Sequence, residues 1–479
     1  MNITVQINNE KLRYDAYQII KIFHPYDEVV FISENAKYII NISEKEINIG
    51  CNGQDKTYVM QGEKSVKEQL KTAVYVYFSE KLGVSHPWGT LVGIRPTKIA
   101  ASLMEKGWQT DNIVHYYKEH YSASPQKAKL CIEVAENERE YLKADKKKVS
   151  IYIGMPFCPT RCAYCSFTSN SIVGNGKLVQ PYLEALKYEI ESLASYIREG
   201  DIIVESVYFG GGTPTSVNSS EFEFIMSSIY GCFVKDYPLK EFTVEAGRPD
   251  SITEEKLKIM KDFEVTRISI NPQSMNDSTL KSIGRFHTVE DVRNKYHMAR
   301  KMGFNNINMD IIVGLPGEGI KEIENSCFEL LKLEPDSITV HGMSIKRGSK
   351  LHEQLLNNKY SSGLGIEELK QMFDMTRVTA ERLNMIPYYL YRQKNMIGNM
   401  ENIGYARKGM ECIYNIKIME ENQTIIALGA DAVTKVVFSD ENRIERYANL
   451  KEVSEYVKRV NEMIEGKIEL LDTLYKSAT

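Results

Sequence analysis

The stretch from Ile151 to Asn170 reads IYIGMPFCPTRCAYCSFTSN, and it decides how the rest of the chain is interpreted. Cys158, Cys162 and Cys165 follow a short apolar strand pattern with C-x3-C-x2-C spacing, inside a turn that carries two prolines. Three thiolates this close on one loop can bind three irons of a four-iron cluster, because iron–sulfur clusters are held through cysteine thiolate. The fourth iron then lacks a protein ligand, so a small molecule can chelate it, much as catalytic metal sites keep an open position.

A zinc knuckle, a disulfide pair or unrelated buried cysteines would also account for three cysteines. Zinc requires a fourth cysteine or histidine at close spacing. The next candidate positions hold Phe167 and Asn170, and the first later histidine is His287. The spacing therefore favours a cluster loop over a zinc site.

Length and composition describe an ordinary globular protein. The 479 residues suggest about three domains, and 43% hydrophobic and 26% charged residues are typical of a soluble chain. The formal net charge is -4 and no basic run is present, so nucleic-acid binding is not expected. No signal sequence and no apolar run of membrane-spanning length are visible, which predicts a cytoplasmic protein without a membrane span. The other five cysteines are scattered, as expected of small buried side chains: Cys51, Cys131, Cys232, Cys327 and Cys412.

Residues 1–145 are predicted to form an N-terminal α+β domain. Strand-like runs are interleaved with helical patterns at Tyr14–Phe23 and Val66–Leu82. An all-helical stretch follows, in which Pro96 and the Ser124-Pro125 pair suit the first turns of helices. The strand-like runs are Ile3–Ile7, Glu28–Ile32, Lys37–Ile42, Lys45–Ile49 and Thr57–Met60.

The segment from His86 to Lys98 reads HPWGTLVGIRPTK and allows two interpretations. Its glycines, Trp88 and Arg95 suit a ligand or partner surface. A loop that packs Trp88 between two subdomains explains the same residues.

From Val149 the pattern alternates strand and helix, which is typical of a parallel sheet covered by helices. Eight such units close a full barrel, so six predict an α/β fold with an open, partial (β/α)6 TIM-type barrel over residues 146–347. The predicted strands are Val149–Ile153, Val204–Phe209, Phe242–Glu245, Arg267–Ile270, Asn306–Val313 and Ser337–His341. The intervening helices are expected near Val179–Arg198, Ser220–Cys232, Thr253–Asp262, Asn276–Ile283, Val289–Met302 and Ile320–Leu333.

Residues 348–479 are predicted to form a C-terminal mixed α/β domain that covers the open side of the barrel. Gly429 in this region either admits a backbone contact from a ligand or turns the chain. The expected elements are a helix near Glu367–Leu383, strands at Tyr388–Arg392, Cys412–Ile416 and Thr424–Leu428, and terminal helices from Leu450 to Leu474.

Candidate ligand-binding residues follow the predicted strands, because function in such sheets gathers at the carboxyl ends of strands. The second strand is followed by Gly210–Gly212, whose backbone can approach a ligand closely, and by the hydroxyl of Thr213. The third strand ends at Glu245, which suits a ligand ammonium, although an ion pair with Arg248 would explain it equally.

Two further charged residues stand out. Arg285, in the stretch SIGRFHT, suits bidentate binding of a carboxylate, whereas most isolated arginines are solvated. Asp310 lies in the apolar strand NINMDIIV, where a charge needs a partner, so it is a better functional candidate than most acids of the chain.

These motifs together resemble the oxygen-independent coproporphyrinogen III oxidase-like proteins of the radical S-adenosylmethionine (SAM) superfamily. The resemblance is close from Val149 to about Lys346, and the segments VGIRPTKI, YYLYRQKN and TIIALGADAV resemble more narrowly the HemZ-type coproporphyrinogen dehydrogenase branch. The motifs that occur in the family's order are YIGMPFCPTRCAYCSF, YFGGGTPT, TVEAGRPD, RISINPQS, SIGRFHT and MDIIVGLPGE.

The resemblance implies one 4Fe-4S cluster on Cys158, Cys162 and Cys165, with SAM chelated to the open iron and cleaved reductively to a 5'-deoxyadenosyl radical. It also implies a reductant such as flavodoxin or ferredoxin. Tyr152 and Glu245 are the candidate catalytic residues. The positions that match the family's SAM contacts are Tyr152, Tyr164, Gly211, Gly212, Thr213, Glu245, Gln273, Arg285, Asp310 and Ile312.

The resemblance also implies how most of these positions would bind SAM. The glycine loop and Glu245 would meet the SAM ammonium, and Arg285 its carboxylate. Gln273 and Asp310 would lie around the ribose and carboxylate, while Tyr164 would pack on the adenine.

The implied reaction converts two propionates of coproporphyrinogen III to vinyls, which yields protoporphyrinogen IX in haem biosynthesis. A substrate with four propionates calls for several cations, although surface charge would explain the same residues. The candidate cations are His341, Lys346, Arg347, Arg392 and Lys394.

Two positions depart from the family's pattern. Bona fide coproporphyrinogen dehydrogenases carry a fourth loop cysteine where this chain has Phe167, and the haem-chaperone relatives have phenylalanine there. Family members commonly carry a histidine where this chain has Gly154. Two other interpretations therefore stay open: a haem-binding or haem-delivery protein that retains the cluster and SAM site, and another radical SAM reaction on a tetrapyrrole.

Overall fold

The computed structural model describes residues 2–62, 64–143, 145–165, 170–346, 348–356, 363–394 and 396–476. Phe167 and Arg347, both singled out above, lie outside the described residues. The architecture combines an 11-stranded sheet with a separate five-stranded sheet.

The five-stranded sheet is formed by the first strands of the chain in the order β2-β1-β3-β4-β5, and two helices pack with it around one hydrophobic core. Helix α2 begins after Ser65, which forms a capping box with Glu68, and ends at Gly83 in the left-handed conformation. The strands are β1 Asn2–Ile7, β2 Glu28–Phe31, β3 Tyr38–Ile42, β4 Glu46–Cys51 and β5 Gln54–Val59, and the helices are α1 Arg13–Phe23 and α2 Val66–Leu82.

Three further helices, α3 Thr97–Glu105, α4 Thr110–Tyr121 and α5 Pro125–Glu138, belong to a different core. Buried residues of this stretch, including Trp88 and Tyr117, pack into the core of the larger sheet. The predicted domain boundaries near residues 145 and 347 stay predictions. The division of buried side chains favours a first boundary between residues 78 and 88.

Six parallel strands are neighbours in chain order within the larger sheet, each joined to the next by at least one helix. The predicted six-unit α/β fold is thereby confirmed. The strands are β6 Lys148–Met155, β9 Ile203–Gly211, β10 Glu241–Gly247, β11 Arg267–Ile270, β12 Ile307–Val313 and β13 Ser337–Gly342, with the two-residue pair β7 Phe157–Cys158 and β8 Asn170–Ser171 in the first connection. The helices are α6 Ile172–Asn175, α7 Val179–Glu199, α8 Ser219–Ile229, α9 Glu254–Asp262, α10 Asp277–Ser282, α11 Val289–Lys301 and α12 Ile320–Leu333.

The C-terminal region extends this sheet at both edges. Strand β15 pairs antiparallel with β13 and carries β14, whereas β16 pairs parallel with β6 and carries β17 and β18. None of the helices in the described ranges has the length and apolar character that crossing a bilayer requires. The elements are β14 Ile386–Tyr391, β15 Asn402–Ala406, β16 Thr424–Leu428, β17 Val433–Phe438 and β18 Arg443–Ala448, with α13 Lys350–Leu356, α14 Ile366–Arg382, α15 Ile413–Glu420, α16 Val453–Lys458 and α17 Val460–Tyr475.

The strand predicted at Cys412–Ile416 is wrong, because this segment begins helix α15. The buried carboxylate of Glu241, at the start of β10, accepts hydrogen bonds from the backbone N–H of Ile413 at 2.6 Å and of Tyr414 at 3.4 Å. These are first-turn donors that have no partner inside a helix. A carboxylate distant in sequence therefore stabilises a helix that the local apolar pattern does not indicate.

A fully buried ion pair fastens the C-terminal helix to the parallel sheet. Lys467 of α17 donates to Glu189 of α7, and both side chains are 0% exposed. Glu189 also accepts from the backbone N–H of Gly429 at 2.7 Å, the Asn449 amide at 2.9 Å and the Tyr456 hydroxyl at 2.7 Å. Gly429 has a φ of 99°, and a Cβ there would lie 2.6 Å from the carbonyl oxygen of Gly154, so this glycine turns the chain against β6.

Lys467→Met should lower the free energy of unfolding by about 3–5 kcal/mol, because it leaves the Glu189 charge buried without its cation. Urea unfolding followed by circular dichroism measures the change. The matched control is Lys458→Met, which removes an exposed lysine paired with Glu455 and should leave the unfolding midpoint unchanged. Equal midpoints for the two variants would contradict the importance of the buried pair.

Candidate active site

The cysteine loop begins where β6 ends, at the carboxyl edge of the parallel sheet. Cys158 and Cys162 are buried thiols, and Cys165 is half-buried. The loop is fixed by backbone hydrogen bonds, from Cys165 N–H to the Cys162 carbonyl at 3.1 Å and from Ala163 N–H to the Ile283 carbonyl at 2.9 Å. The three cysteines are thus held against the segment that follows α10.

The glycine loop after β9 packs directly on the cysteine loop. A Cβ on Gly212 would lie 2.5 Å from the carbonyl oxygen of Phe157 and 3.0 Å from the Cys158 sulfur, distances that side chains do not tolerate. Gly211 has a φ of 103°, and a Cβ there would lie 2.8 Å from the carbonyl oxygen of Met155. The Thr213 hydroxyl donates to the Cys158 sulfur at 3.6 Å. The glycines therefore bring two neighbouring loops together.

The donor set on the cysteine loop fits an iron–sulfur cluster. Thiolates that bind different irons of a cluster are spaced more widely than the ligands of one ion. Cys158, Cys162 and Cys165 supply three thiols from one loop, which is the ligand type that such a cluster uses. Burial raises the pKa of the Cys158 thiol to about 11, while the Thr213 hydroxyl opposes the rise. A positive metal centre would reverse this effect by stabilising the thiolate.

Glu245 lies beside the glycine loop at the end of β10. A Cβ on Gly210 would be 3.0 Å from its carboxylate, and the Tyr208 hydroxyl donates to that carboxylate. Burial raises the pKa of Glu245 to about 7; the charge of Asp310 adds to the rise, whereas the Tyr208 hydrogen bond and Arg267 oppose it. A ligand ammonium placed here would favour the ionised carboxylate.

Asp310 on β12 contacts His341 on the neighbouring strand. The His341 Nε2 lies 3.6 Å from its carboxylate, and the Asn308 amide donates to it at 2.6 Å. Burial acts to raise the pKa of Asp310, but the His341 and Asn308 interactions outweigh burial and lower it. The opposite ring nitrogen of His341 is 3.2 Å from the Asn402 side-chain oxygen, so oxygens face both nitrogens, which favours the imidazolium.

Gln273 adopts a strained backbone conformation next to Asp310. Its φ is 69°, unusual for a residue other than glycine. The conformation is held by hydrogen bonds from Gln273 N–H to the Asp310 carbonyl and from Ile312 N–H to the Gln273 carbonyl, both 2.9 Å. Gln273 and Ile312, both predicted SAM contacts, are therefore joined through the backbone, and strain of this kind clusters at functional sites.

Arg285 and Tyr164 are in contact, since an Arg285 Nη2 donor lies 3.3 Å from the Tyr164 hydroxyl. Arg285 also donates to the Asn271 carbonyl at 2.6 Å. Its Nε and the side-chain oxygen of Asn271 are buried, and neither has a hydrogen-bond partner among the described residues. Buried polar groups are almost always paired, so these two atoms suit a polar ligand.

An aromatic stack supports Glu245 from inside the sheet. The Tyr208 ring lies 4.5 Å from that of Tyr414 on α15 and 6.2 Å from that of Tyr152 on β6. Tyr208 and Tyr414 are not among the predicted site residues. Tyr208 could have been found, since it stands two residues before Gly210 on the same strand face. No local sequence pattern indicates a role for Tyr414, because the pattern of its segment predicts a strand and the structure has a helix there.

Three other candidate cations have different surroundings. Arg392 is buried, and its donors reach the carbonyls of Leu91 and Asn399, so it joins the N-terminal loop to the C-terminal region. Lys394 lies at the surface, 3.3 Å from the Tyr14 hydroxyl. Lys346 remains close to the site: burial lowers its pKa, and the nearby Cys165 thiol opposes the change.

The segment from His86 to Lys98 acts as a packing element. Trp88 is fully buried and donates to Glu401 at 2.7 Å. Arg95 donates to the carbonyls of Met419 and Glu420, both at 3.2 Å, at the end of α15. A cavity of about 820 Å³ lies elsewhere, between β5, α2 and α4, and none of the predicted site residues line it.

Comparison with known proteins agrees with this geometry. Residues 152–330 match the model of the radical SAM superfamily. The chain is 38% identical, over 100% of its length and 99% of the relative, to the oxygen-independent coproporphyrinogen-III oxidase-like protein HemZ of Bacillus subtilis. It is 30% identical to the heme chaperone HemW of B. subtilis, over 59% of this chain and 70% of that protein. The solved structure of coproporphyrinogen III oxidase HemN from Escherichia coli matches with a TM-score of 0.52 and 19% identity, over 68% of this chain and 72% of that chain.

The parallel sheet and its three-cysteine loop therefore define a radical SAM protein, a class that uses a 4Fe-4S cluster and SAM. The full-length similarity shows more narrowly that the chain belongs to the oxygen-independent coproporphyrinogen-III oxidase-like family. The individual roles assigned to the site residues stay predictions.

Gly212→Ala should reduce cluster affinity about tenfold or more, because the added methyl group displaces the loop that carries Cys158. Iron and sulfide content after anaerobic reconstitution measures the effect. The control is Gly231→Ala, where a Cβ would meet no atom within 4 Å. A normal cluster content in Gly212→Ala would show that the two loops can separate without harm.

Tyr208→Phe should move the pH midpoint of SAM binding upward by about one unit, since a hydrogen bond of about 1.4 kcal/mol to the Glu245 carboxylate is lost. In the unmodified chain, SAM binding should strengthen as the pH rises through about 7, where Glu245 ionises. Equilibrium dialysis of SAM across the pH range tests both statements.

The matched control for this prediction is Tyr230→Phe, which removes a surface hydroxyl that donates to Glu264. It should leave the midpoint where it is. Identical pH profiles for Tyr208→Phe and the unmodified chain would contradict the predicted role of Glu245 in binding SAM.

Proposed function

We propose that this protein is an oxygen-independent coproporphyrinogen III dehydrogenase, a radical SAM oxidoreductase that converts two propionates to vinyls and gives protoporphyrinogen IX in haem biosynthesis. The observation that carries the proposal is the meeting of the cysteine loop, the glycine loop and Glu245 at one end of the parallel sheet. When bound, the cluster and SAM supply one-electron, hydrogen-abstracting chemistry.

In this proposal the site residues have distinct tasks. Cys158, Cys162 and Cys165 hold the cluster, and Glu245 binds the SAM ammonium. The unpaired Nε of Arg285 is available for the SAM carboxylate. Tyr152 of β6 stacks on Tyr414 of α15, with the ring centroids 6.0 Å apart, and would line the inner side of the site.

The position of His341 favours a substrate that carries carboxylates. It lies next to Asp310 and keeps 27% of its side chain exposed. Burial acts to lower the pKa of His341, but the interactions with Asp310 and Asn402 raise it. When protonated, His341 would offer a cation to a propionate of a tetrapyrrole. A flavodoxin- or ferredoxin-type reductant and a cytoplasmic location complete the proposal.

Haem delivery is the second candidate function. Its specific support is the 30% identity with the heme chaperone HemW of B. subtilis, which extends over 59% of this chain. The similarity to the HemZ relative extends over the whole chain and favours the dehydrogenase. Another radical SAM reaction on a tetrapyrrole would use the same SAM site with a different substrate position.

Anaerobic turnover of the iron-reconstituted protein with SAM, dithionite and coproporphyrinogen III tests the proposal. We expect 5'-deoxyadenosine and a tetrapyrrole that has lost two carboxyl groups, both measured by mass spectrometry. Cys162→Ala should abolish both products because the cluster loses a ligand. Cys232→Ala changes a half-buried cysteine outside the site and should retain them.

The products separate the candidate functions. Deoxyadenosine with unchanged porphyrinogen would indicate a radical enzyme with another substrate. If protein with a full cluster forms neither product but binds haem stoichiometrically, haem delivery replaces the dehydrogenase proposal.

A further inference from the structure

Arg248 connects the end of β10 to the cysteine loop. Its Nη1 donates to the Thr160 carbonyl at 3.2 Å and to the Thr160 hydroxyl at 2.9 Å, and lies 3.8 Å from the Cys162 sulfur. Its Nε and Nη2 donate to the two oxygens of Asp250 at 3.0 Å and 2.6 Å. The ion pair with Glu245 that the sequence allowed is absent among these contacts. Arg248 instead faces the cluster loop.

The guanidinium of Arg248 is screened by solvent less than its carboxylate partner is, so its positive charge acts on the nearby cysteine loop. Its side chain is 3% exposed, whereas that of Asp250 is 26% exposed. The compensating carboxylate is thus nearer to solvent than the guanidinium, and solvent screens it more strongly. The bidentate Asp250 contact also fixes the direction of the guanidinium, so that Nη1 points at the loop.

A cation close to a cluster thiolate affects the redox equilibrium of that cluster. Reduction adds one electron and one negative charge to the cluster, so a nearby positive charge stabilises the reduced form. Hydrogen bonds to the cysteine sulfurs and local net charge are among the factors that set cluster potentials. The Thr213 contact with Cys158 is a neutral hydrogen bond, whereas the Arg248 contact with Cys162 is charged.

We propose that Arg248 is a positioning residue that orders the cysteine loop through Thr160 and raises the reduction potential of the cluster through Cys162. The inference rests on the cluster assignment made under the proposed function, but it does not depend on the tetrapyrrole substrate. Arg285 is a second buried cation beside Cys162, yet it is also a predicted SAM contact. The partners of Arg248 include none of the predicted SAM contacts, so its variants isolate the effect on the cluster.

The test is a redox titration of the full-length, reconstituted protein without substrate, with dithionite as the one-electron donor and electron paramagnetic resonance as the readout. Arg248→Gln should shift the equilibrium at least tenfold towards the oxidised cluster, which corresponds to a potential lower by about 59 mV for a one-electron couple. Arg248→Lys should give a smaller decrease, because an ammonium keeps the charge but cannot bind Asp250 bidentately and reach the loop as well.

Arg293→Gln is the matched control. Arg293 pairs with Glu290 and Glu329 away from the cysteine loop, and its replacement should leave the potential unchanged. If both Arg248 variants keep a full cluster and the potential of the unmodified protein, the inference is overturned. If Arg248→Gln does not take up a cluster, an unchanged potential in Arg248→Lys overturns it. Failure of the unmodified chain to take up any cluster would reject the cluster assignment, and the role of Arg248 with it.

Discussion

The close contact between the loops after β6 and β9 is the constraint on which the rest of the site depends. These strands pair in parallel, with Gly154 opposite Gly210 and Met155 opposite Gly211, so the chain leaves both strands at the same level. Two loops that start side by side would collide if the second carried side chains. Glycine at 211 and 212 removes the collision, and the Thr213 hydroxyl then reaches Cys158. The position of the cysteines is thus set by a neighbouring strand as well as by their own loop.

The inner face of the sheet is charged, and the partners of each charge determine its state. Asp310 has His341 and Asn308 as partners, and these interactions lower its pKa in spite of burial. Burial raises the pKa of Glu245 to about 7; the like charge of Asp310 adds to the rise, and the hydrogen bond from the Tyr208 hydroxyl opposes it without cancelling it. Two carboxylates on one face therefore differ in ionisation near neutral pH. The Glu245 carboxylate is the one whose charge a bound ammonium can change most.

The sequence predicted what depends on local pattern. The six parallel strands follow from alternating strand and helix periodicity, and the carboxyl-end rule then brings Glu245, Arg285 and Asp310 to one edge of the sheet. It did not predict features that depend on distant partners. Helix α15 forms where Glu241 caps it, and the contact of Arg248 with Cys162 joins residues 86 positions apart. The antiparallel strands β15, β17 and β18 were also missed, because they pair at the edges of a sheet that is formed by earlier residues.

The segments that resemble the HemZ-type branch mainly make packing contacts in this fold. In YYLYRQKN, Arg392 contacts the segment that contains Trp88. Its backbone N–H donates to the Ile94 carbonyl at 2.8 Å, and its guanidinium lies 5.0 Å from the Trp88 ring. Burial lowers the pKa of Arg392 to about 10, and Glu401 opposes this change. Similarity in these segments is therefore explained by the contacts that hold the N-terminal helices against the sheet. Under the proposed function, a tetrapyrrole would instead meet the partly exposed His341 inside the sheet, beside Asp310 and the buried Asn402.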